Sequence, residues 1–186
     1  MELYRSYNVL TNKDRKDLIR NAPPFLESRE ELKEKWHNEF PGSQTHPDID
    51  LEPVFASTIQ KVVKKAEEAS NIPLITNGAW LSFKNGKYIA WHTHPSHLRG
   101  RSNDYAIAYY IKLFPFFRNG CLFRKGFVPD LPKNRNKIEV PTQLVKVDQN
   151  SLIMVRQNIA HTTPYFPFFF RPEKAVLAID VGIRKD

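Results

Sequence analysis

The residues best suited to chemistry are His92 and His94, in the run Gly86-Lys-Tyr-Ile-Ala-Trp-His-Thr-His-Pro95, and His161, in Ala160-His-Thr-Thr-Pro164. Two histidines at i and i+2 on an extended segment project from the same face. His161 follows another apolar run, so a neighbouring strand can bring it to the same place. Imidazole is the commonest nitrogen ligand for iron, zinc and copper. A structural zinc would normally add thiolates, and Cys121 is the only cysteine in the chain. The pattern therefore points to a reactive metal centre that keeps coordination positions open. An imidazole left without a partner at the exit of an apolar strand would be costly to bury, which favours ligation for His161 too.

What must position these residues is the second part of the chain, where the apolar period becomes that of strands. Ala79-Trp-Leu-Ser-Phe83 runs into Lys84-Asn-Gly-Lys87, a turn by its Asn-Gly pair, and residues 88–92 supply the hairpin partner. Further strands are expected over residues 105–112, 120–124, 143–147, 151–155 and 175–183. With no helices between them they indicate a sandwich or barrel. The front reads as mostly helical. Ser28-Arg-Glu-Glu31 has capping-box spacing. Over residues 54–70, Phe55, Ile59, Val62, Val63 and Ala66 recur at helical steps, with Lys61, Lys64, Lys65, Glu67 and Glu68 on the other face. Residues 40–47 are a loop by composition, and residues 129–141 a polar insertion expected to be mobile. The aromatic runs over residues 113–117 and 165–170 are expected to close the ends of the barrel, or to form an apolar lid or subunit contact beside the metal. His37 and His46 are expected at the surface.

The expectation is thus one domain over residues 1–186, mainly β with N-terminal helices (α+β), a helical front at 1–73 and a β core at 74–186. The 186 residues, 41% hydrophobic and 26% charged, are ordinary for a soluble protein able to bury its own core. A single cysteine excludes an intramolecular disulfide and gives no sign of an oxidising compartment. The polar start lacks a signal-peptide apolar region, and no apolar run reaches membrane-spanning length. We therefore expect a cytoplasmic protein with no membrane association. The net charge of +8 is spread along the chain, as in Lys61, Lys64 and Lys65 or Lys133, Arg135 and Lys137. No aromatic residues interleave with it as a base-stacking platform would require. This favours an anionic substrate or cosubstrate drawn in by the field over nucleic acid. The oligomeric state is not set by the sequence.

The chain resembles the Fe(II)/2-oxoglutarate-dependent oxygenase superfamily, most closely a group of oxygenases with a Trp, a Gly and then His-x-His-Pro. Here these are Trp80, Gly86 and Trp91-His-Thr-His-Pro95. The strand at 106–111, Gly120-Cys-Leu-Phe-Arg124, and the turn, strand and His-x-x-Pro of 150–164 follow in the order found in that group. The last strand, residues 175–181, is similar to that of the aspartyl/asparaginyl β-hydroxylase branch. The resemblance spans about residues 75 to 183 and implies a double-stranded β-helix, the jelly-roll, cupin-like architecture.

The resemblance also implies roles. His92 is the first iron ligand and His161 the distal one. His94 stands where a carboxylate is usual: it either ligates, giving a three-His iron, or leaves a position vacant, with Asp104 as a substitute carboxylate. The basic residue that opens the last strand pairs with the far carboxylate of 2-oxoglutarate. Lys174 occupies that register, and Arg171 is the alternative. Asn150 replaces the Gly usual before the distal strand, which Asn can do because it tolerates the left-handed conformation. Tyr109 is expected beside the cosubstrate, and Trp91, Tyr110, Arg124, His97 and Asp104 around the substrate, although strand tyrosines also commonly pack in cores. The implied cofactors are Fe(II), 2-oxoglutarate and O2, and the implied reaction is hydroxylation of a C–H of a small molecule or amino-acid side chain. Two readings stay beside it. Gly86 followed by five residues and His-x-His fits a cupin-like three-His metalloenzyme that does not use 2-oxoglutarate, and the same barrel could be a non-catalytic ligand-binding one.

Overall fold

The front of the chain carries three α-helices and, beside them, three short strands among the described residues. The computed structural model describes residues 2–36, 42–85, 92–113, 120–124, 142–162 and 173–185. Strand β1 (Leu3–Tyr7) precedes helix α1 (Asn12–Asn21), whose N-cap Thr11 Oγ1 accepts the Asp14 N–H. Strand β2 (Leu26–Glu27), helix α2 (Arg29–Trp36) and strand β3 (Ser43–Thr45) follow. The capping box forms as its spacing requires. Ser28 N–H donates to Glu31 Oε2 at 2.7 Å, and Glu31 N–H donates to Ser28 Oγ at 3.3 Å. Helix α3 (Pro53–Ser70) starts on a proline and ends at Asn71, which is left-handed at φ 56°. Its buried stripe is Phe55, Ile59, Val62, Val63 and Ala66. Each large side chain there contributes about 1.5–3 kcal/mol, so packing rather than propensity holds this helix.

The remaining elements are strands: β4 (Leu74–Asn85), β5 (His97–Leu98), β6 (Arg101–Ser102), β7 (Tyr105–Lys112), β8 (Gly120–Arg124), β9 (Thr142–Lys146), β10 (Ser151–Arg156), β11 (His161–Thr162) and β12 (Glu173–Ile183). They form a seven-stranded sheet in the order β1-β10-β7-β12-β4-β3-β2, a three-stranded sheet in the order β11-β8-β9, and the small hairpin β5-β6. Every pairing between these described strands is antiparallel. Alternation along the strands divides the interior in two. Tyr105, Ile107, Tyr109 and Ile111 of β7 face α1 and α3, together with Leu81, Leu177 and Ile179. Tyr110 of β7 with Ile153 and Val155 of β10 faces the other way, onto Cys121, Phe123 and Val145 of the smaller sheet. This second core lies between the two sheets.

The hairpin partner at residues 88–91, His37, the insertion at 129–141 and the aromatic runs beyond Leu113 lie outside the described residues. His46 is not the plain surface residue expected. It is half-buried, its Nδ1 accepts the Asp48 N–H at 3.2 Å, and its ring lies 6.3 Å from that of Phe25. Among the described residues no helix is long and apolar enough to cross a membrane.

Candidate metal centre

Backbone pairing brings His92 and His161 together. His92 N–H donates to His161 O at 3.1 Å and His161 N–H donates to His92 O at 2.9 Å. Residues that exchange both bonds across an antiparallel pair sit directly opposite, with side chains on one face. Their rings are 4.3 Å apart. His94, two residues on, rejoins the same face while its N–H donates to Gln157 O at 3.2 Å. Its ring stacks on His161 at 5.2 Å and 15°. One ligand atom from each of the three histidines lies within 4.8 Å of the others. Three nitrogens held about 2.1 Å from one ion would lie about 3.0–3.6 Å from one another, so the rings would turn inward to close the set.

The hydrogen bonds around the rings suit a metal. His161 Nδ1 lies 3.0 Å from Ile159 O, an acceptor only, so it carries the proton and leaves the Nε2 lone pair bare. His94 Nδ1 lies 2.5 Å from Asp180 Oδ1, which fixes the same tautomer. Burial, then His92 and then His94, hold the His161 pKa well below the ordinary histidine value, so this ring is neutral and able to ligate at pH 7. Trp80 meets His94 edge-on at 6.4 Å, and Phe123 lies 5.9 Å from His161. The donor set thus fits an imidazole-bound transition metal.

No protein-family profile matches the chain, and no curated protein matches it in sequence. Solved structures match it in shape. HygX from Streptomyces hygroscopicus, with nickel, 2-oxoglutarate and hygromycin B bound, gives a TM-score of 0.67 at 13% identity, over 97% of this chain and 82% of HygX. AviO1 from Streptomyces viridochromogenes Tue57 gives 0.64 at 13%, over 96% and 88%. SnoN, a non-heme alpha ketoglutarate dependent epimerase from nogalamycin biosynthesis, gives 0.64 at 14%, over 97% and 77%. The chain shares their fold. At such identity the likeness is one of fold alone.

The other expected site residues divide. Lys174 is 5% exposed on β12, on the same side as Val176 of the inter-sheet core. Burial lowers its pKa to about 8, against a smaller opposite pull from Cys121. Tyr110 is buried on that side too, hydrogen-bonded to Cys121, and burial raises its phenol well above the usual value. Tyr109 is corrected by strand alternation: it faces the helices, and its hydroxyl donates to Asn150 Oδ1 at 2.8 Å. Asp104 is likewise elsewhere, with Oδ2 accepting the Ile183 N–H at 2.8 Å. His97 is exposed on β5, its Nδ1 3.2 Å from Ser96 Oγ. Arg124 is placed through its backbone, opposite Thr142, and Trp91 and Arg171 lie outside the described residues. The residue that sequence reasoning missed is Asp180. The available signal was a lone acid in the apolar run Ala175-Val-Leu-Ala-Ile-Asp-Val-Gly182, because a carboxylate buried there must have a partner.

Proposed function

We propose that the chain is an Fe(II)- and 2-oxoglutarate-dependent oxygenase of the double-stranded β-helix type, hydroxylating a C–H of a small molecule or amino-acid side chain. The observation that carries this is the convergence of His92, His94 and His161, with the Nδ1 atoms of His94 and His161 engaged and their Nε2 atoms left to ligate. The shared fold supports it, since HygX holds nickel or iron and 2-oxoglutarate. Hygromycin B in HygX and nogalamycin RO in SnoN are small molecules, which supports a small-molecule substrate here. SnoN is an epimerase and SnoK a carbocyclase, so hydroxylation is our choice among several outcomes of C–H oxidation.

In this reading the three histidines hold the iron, and bound Fe(II) with 2-oxoglutarate supplies the means to activate O2, releasing succinate and CO2. The chain's own contribution is placement. The His92–His161 backbone pair fixes two ligands rigidly, and Trp80 and Phe123 shield the rings from water. Lys174, buried near Cys121, receives the far carboxylate of the cosubstrate through a charge-assisted bond. Anaerobic addition of Fe(II) and 2-oxoglutarate should give a weak visible charge-transfer band, and air should then yield succinate. Neither band nor succinate would overturn the proposal. A third imidazole in place of a carboxylate favours one other reading, a cupin-like enzyme that does not use 2-oxoglutarate. Oxygen uptake that is indifferent to 2-oxoglutarate would select it.

A further inference from the structure

We propose that Asp180 is a positioning residue for this centre: it locks His94 in the tautomer that turns a bare nitrogen to the ion, and it supplies through that ring the negative charge a carboxylate ligand would bring. The inference rests on the function proposed above and concerns a residue outside the three ligands. Asp180 is fully buried on β12, opposite Gly78 of β4 and Ala106 of β7. Ala106 is small, and the place a Cβ would take at Gly78 is filled by the Leu98 side chain, so Asp180 is walled in on the face it shares with them. Its Oδ1 accepts a hydrogen bond from His94 Nδ1–H at 2.5 Å, and its Oδ2 accepts from Asn103 Nδ2 at 3.3 Å. Asn103 Nδ2 also donates to Pro95 O at 2.8 Å, one residue past His94. Behind it, Asn77 Nδ2 donates to Asn103 Oδ1 at 2.7 Å and to Ser102 O at 2.9 Å. The chain of contacts ties the ligand, the residue after it and the last strand into one unit.

A carboxylate buried without exposure is retained only when its lone pairs are taken. Here they are taken by a metal-ligand candidate and by the amide that holds that ligand's loop. A carboxylate on the far nitrogen of a ligating imidazole orients the ring and raises its basicity. A divalent ion on three neutral imidazoles keeps both positive charges, whereas one carboxylate ligand would cancel one of them. Asp180 restores that charge one hydrogen bond further out. Asp180 is not among the groups whose ligand atoms converge, so its action passes through His94.

Two measurements test this. Long-range 1H–15N correlation spectra of metal-free protein labelled at histidine should show His94 protonated at Nδ1 and bare at Nε2. Ni(II) titration should give Asp180→Asn an affinity roughly 10- to 100-fold below that of the unmodified protein, with its circular dichroism unchanged. Asn103→Ala keeps the carboxylate but removes its amide partner, and should weaken Ni(II) binding severalfold. An Nε2–H tautomer in the unmodified protein, or undiminished Ni(II) affinity in Asp180→Asn, would overturn the assignment. If Asp180→Asn does not fold, the tautomer spectrum and Asn103→Ala decide. If the unmodified protein binds no Ni(II), the oxygenase reading falls, and the tautomer spectrum alone judges whether Asp180 directs His94.

Discussion

The binding of 2-oxoglutarate should titrate with Lys174, in a pH range where an ordinary lysine would be silent. Burial brings its pKa down to about 8 from 10.5, because the inter-sheet core disfavours the charged ammonium. If only the ammonium receives the far carboxylate, affinity follows the protonated fraction, which falls from about 0.9 at pH 7 to about 0.1 at pH 9. The dissociation constant should therefore rise about tenfold across that interval, with about one proton taken up per molecule bound at pH 9. Lys174→Arg keeps its charge throughout, because a guanidinium does not deprotonate in this range. Its affinity should be flat. Lys174→Met removes a charge-assisted bond worth about 1.5–3 kcal/mol, or roughly 10- to 150-fold in affinity. Isothermal titration of 2-oxoglutarate into Ni(II)-loaded protein, anaerobically and in two buffers of different ionisation enthalpy, reads both the affinity and the proton count. Affinity independent of pH from 7 to 9, or an equal slope in Lys174→Arg, would refute the reasoning and leave Arg171 to be tested as the partner.

His92→Ala and His161→Ala should each lower Ni(II) affinity at least 100-fold while the chain stays folded, read by equilibrium dialysis with metal analysis, and metal retention in both would remove the centre. In the metal-free protein His161 is held neutral in the folded state, whereas the unfolded chain takes up a proton near pH 6.5. The stability this group contributes is present above that pH and is lost as the pH falls below it, so the urea midpoint should drop from pH 7 to pH 5, and less steeply in His161→Leu. Ser28→Ala removes one half of the capping box and should cost about 1 kcal/mol, a fall of roughly 2–4 °C in Tm by calorimetry. Ile59→Ala, wholly buried in the α3 stripe, should cost about 2–5 kcal/mol in the same assay.

Helix α3 and strands β7, β8 and β10 were legible in the sequence to within a residue or so, because α3 repeats its apolar stripe over several turns and the strands are compact apolar runs. β1 was not: Leu3-Tyr-Arg-Ser-Tyr7 is an edge strand on β10, half of it polar, and it shows no alternation. β2 and β3 are too short, at two and three residues, for any period to appear. At the site, the i, i+2 spacing of His92 and His94 set their common face locally. The pairing of His92 with His161 is a long-range backbone contact that no local pattern encodes; it could be expected only from the apolar strand leading to His161. Tyr109 and Tyr110 are adjacent in sequence and opposite in fate, and choosing between them needed the register of β7 against β10 and β12. Asp180 and Asp104 pose the same difficulty. Which acid reaches the histidines depends on where β12 ends beside the loop that follows His94, and that is a property of the assembled sheet.

Asn150 shows how a position suited to glycine can carry more than a turn. Its φ of 64° is left-handed, where Asn pays a modest conformational cost that glycine avoids, up to about 1 kcal/mol. Its side chain offsets this. Oδ1 accepts from Leu10 N–H at 3.0 Å and from the Tyr109 hydroxyl at 2.8 Å, and Nδ2 donates to Leu10 O at 2.9 Å. Replacing it by glycine leaves a buried hydroxyl and a backbone amide without that acceptor, each costing about 1–3 kcal/mol. The loss exceeds the gain, so Asn150→Gly should be destabilised by about 1–5 kcal/mol in urea denaturation, despite glycine being the easier residue for the backbone. Tyr109→Phe removes only the hydroxyl and should lose less, and it should leave 2-oxoglutarate affinity unchanged because Tyr109 faces the helices. An Asn150→Gly variant as stable as the parent would mean that the turn, not the amide, is what this position supplies.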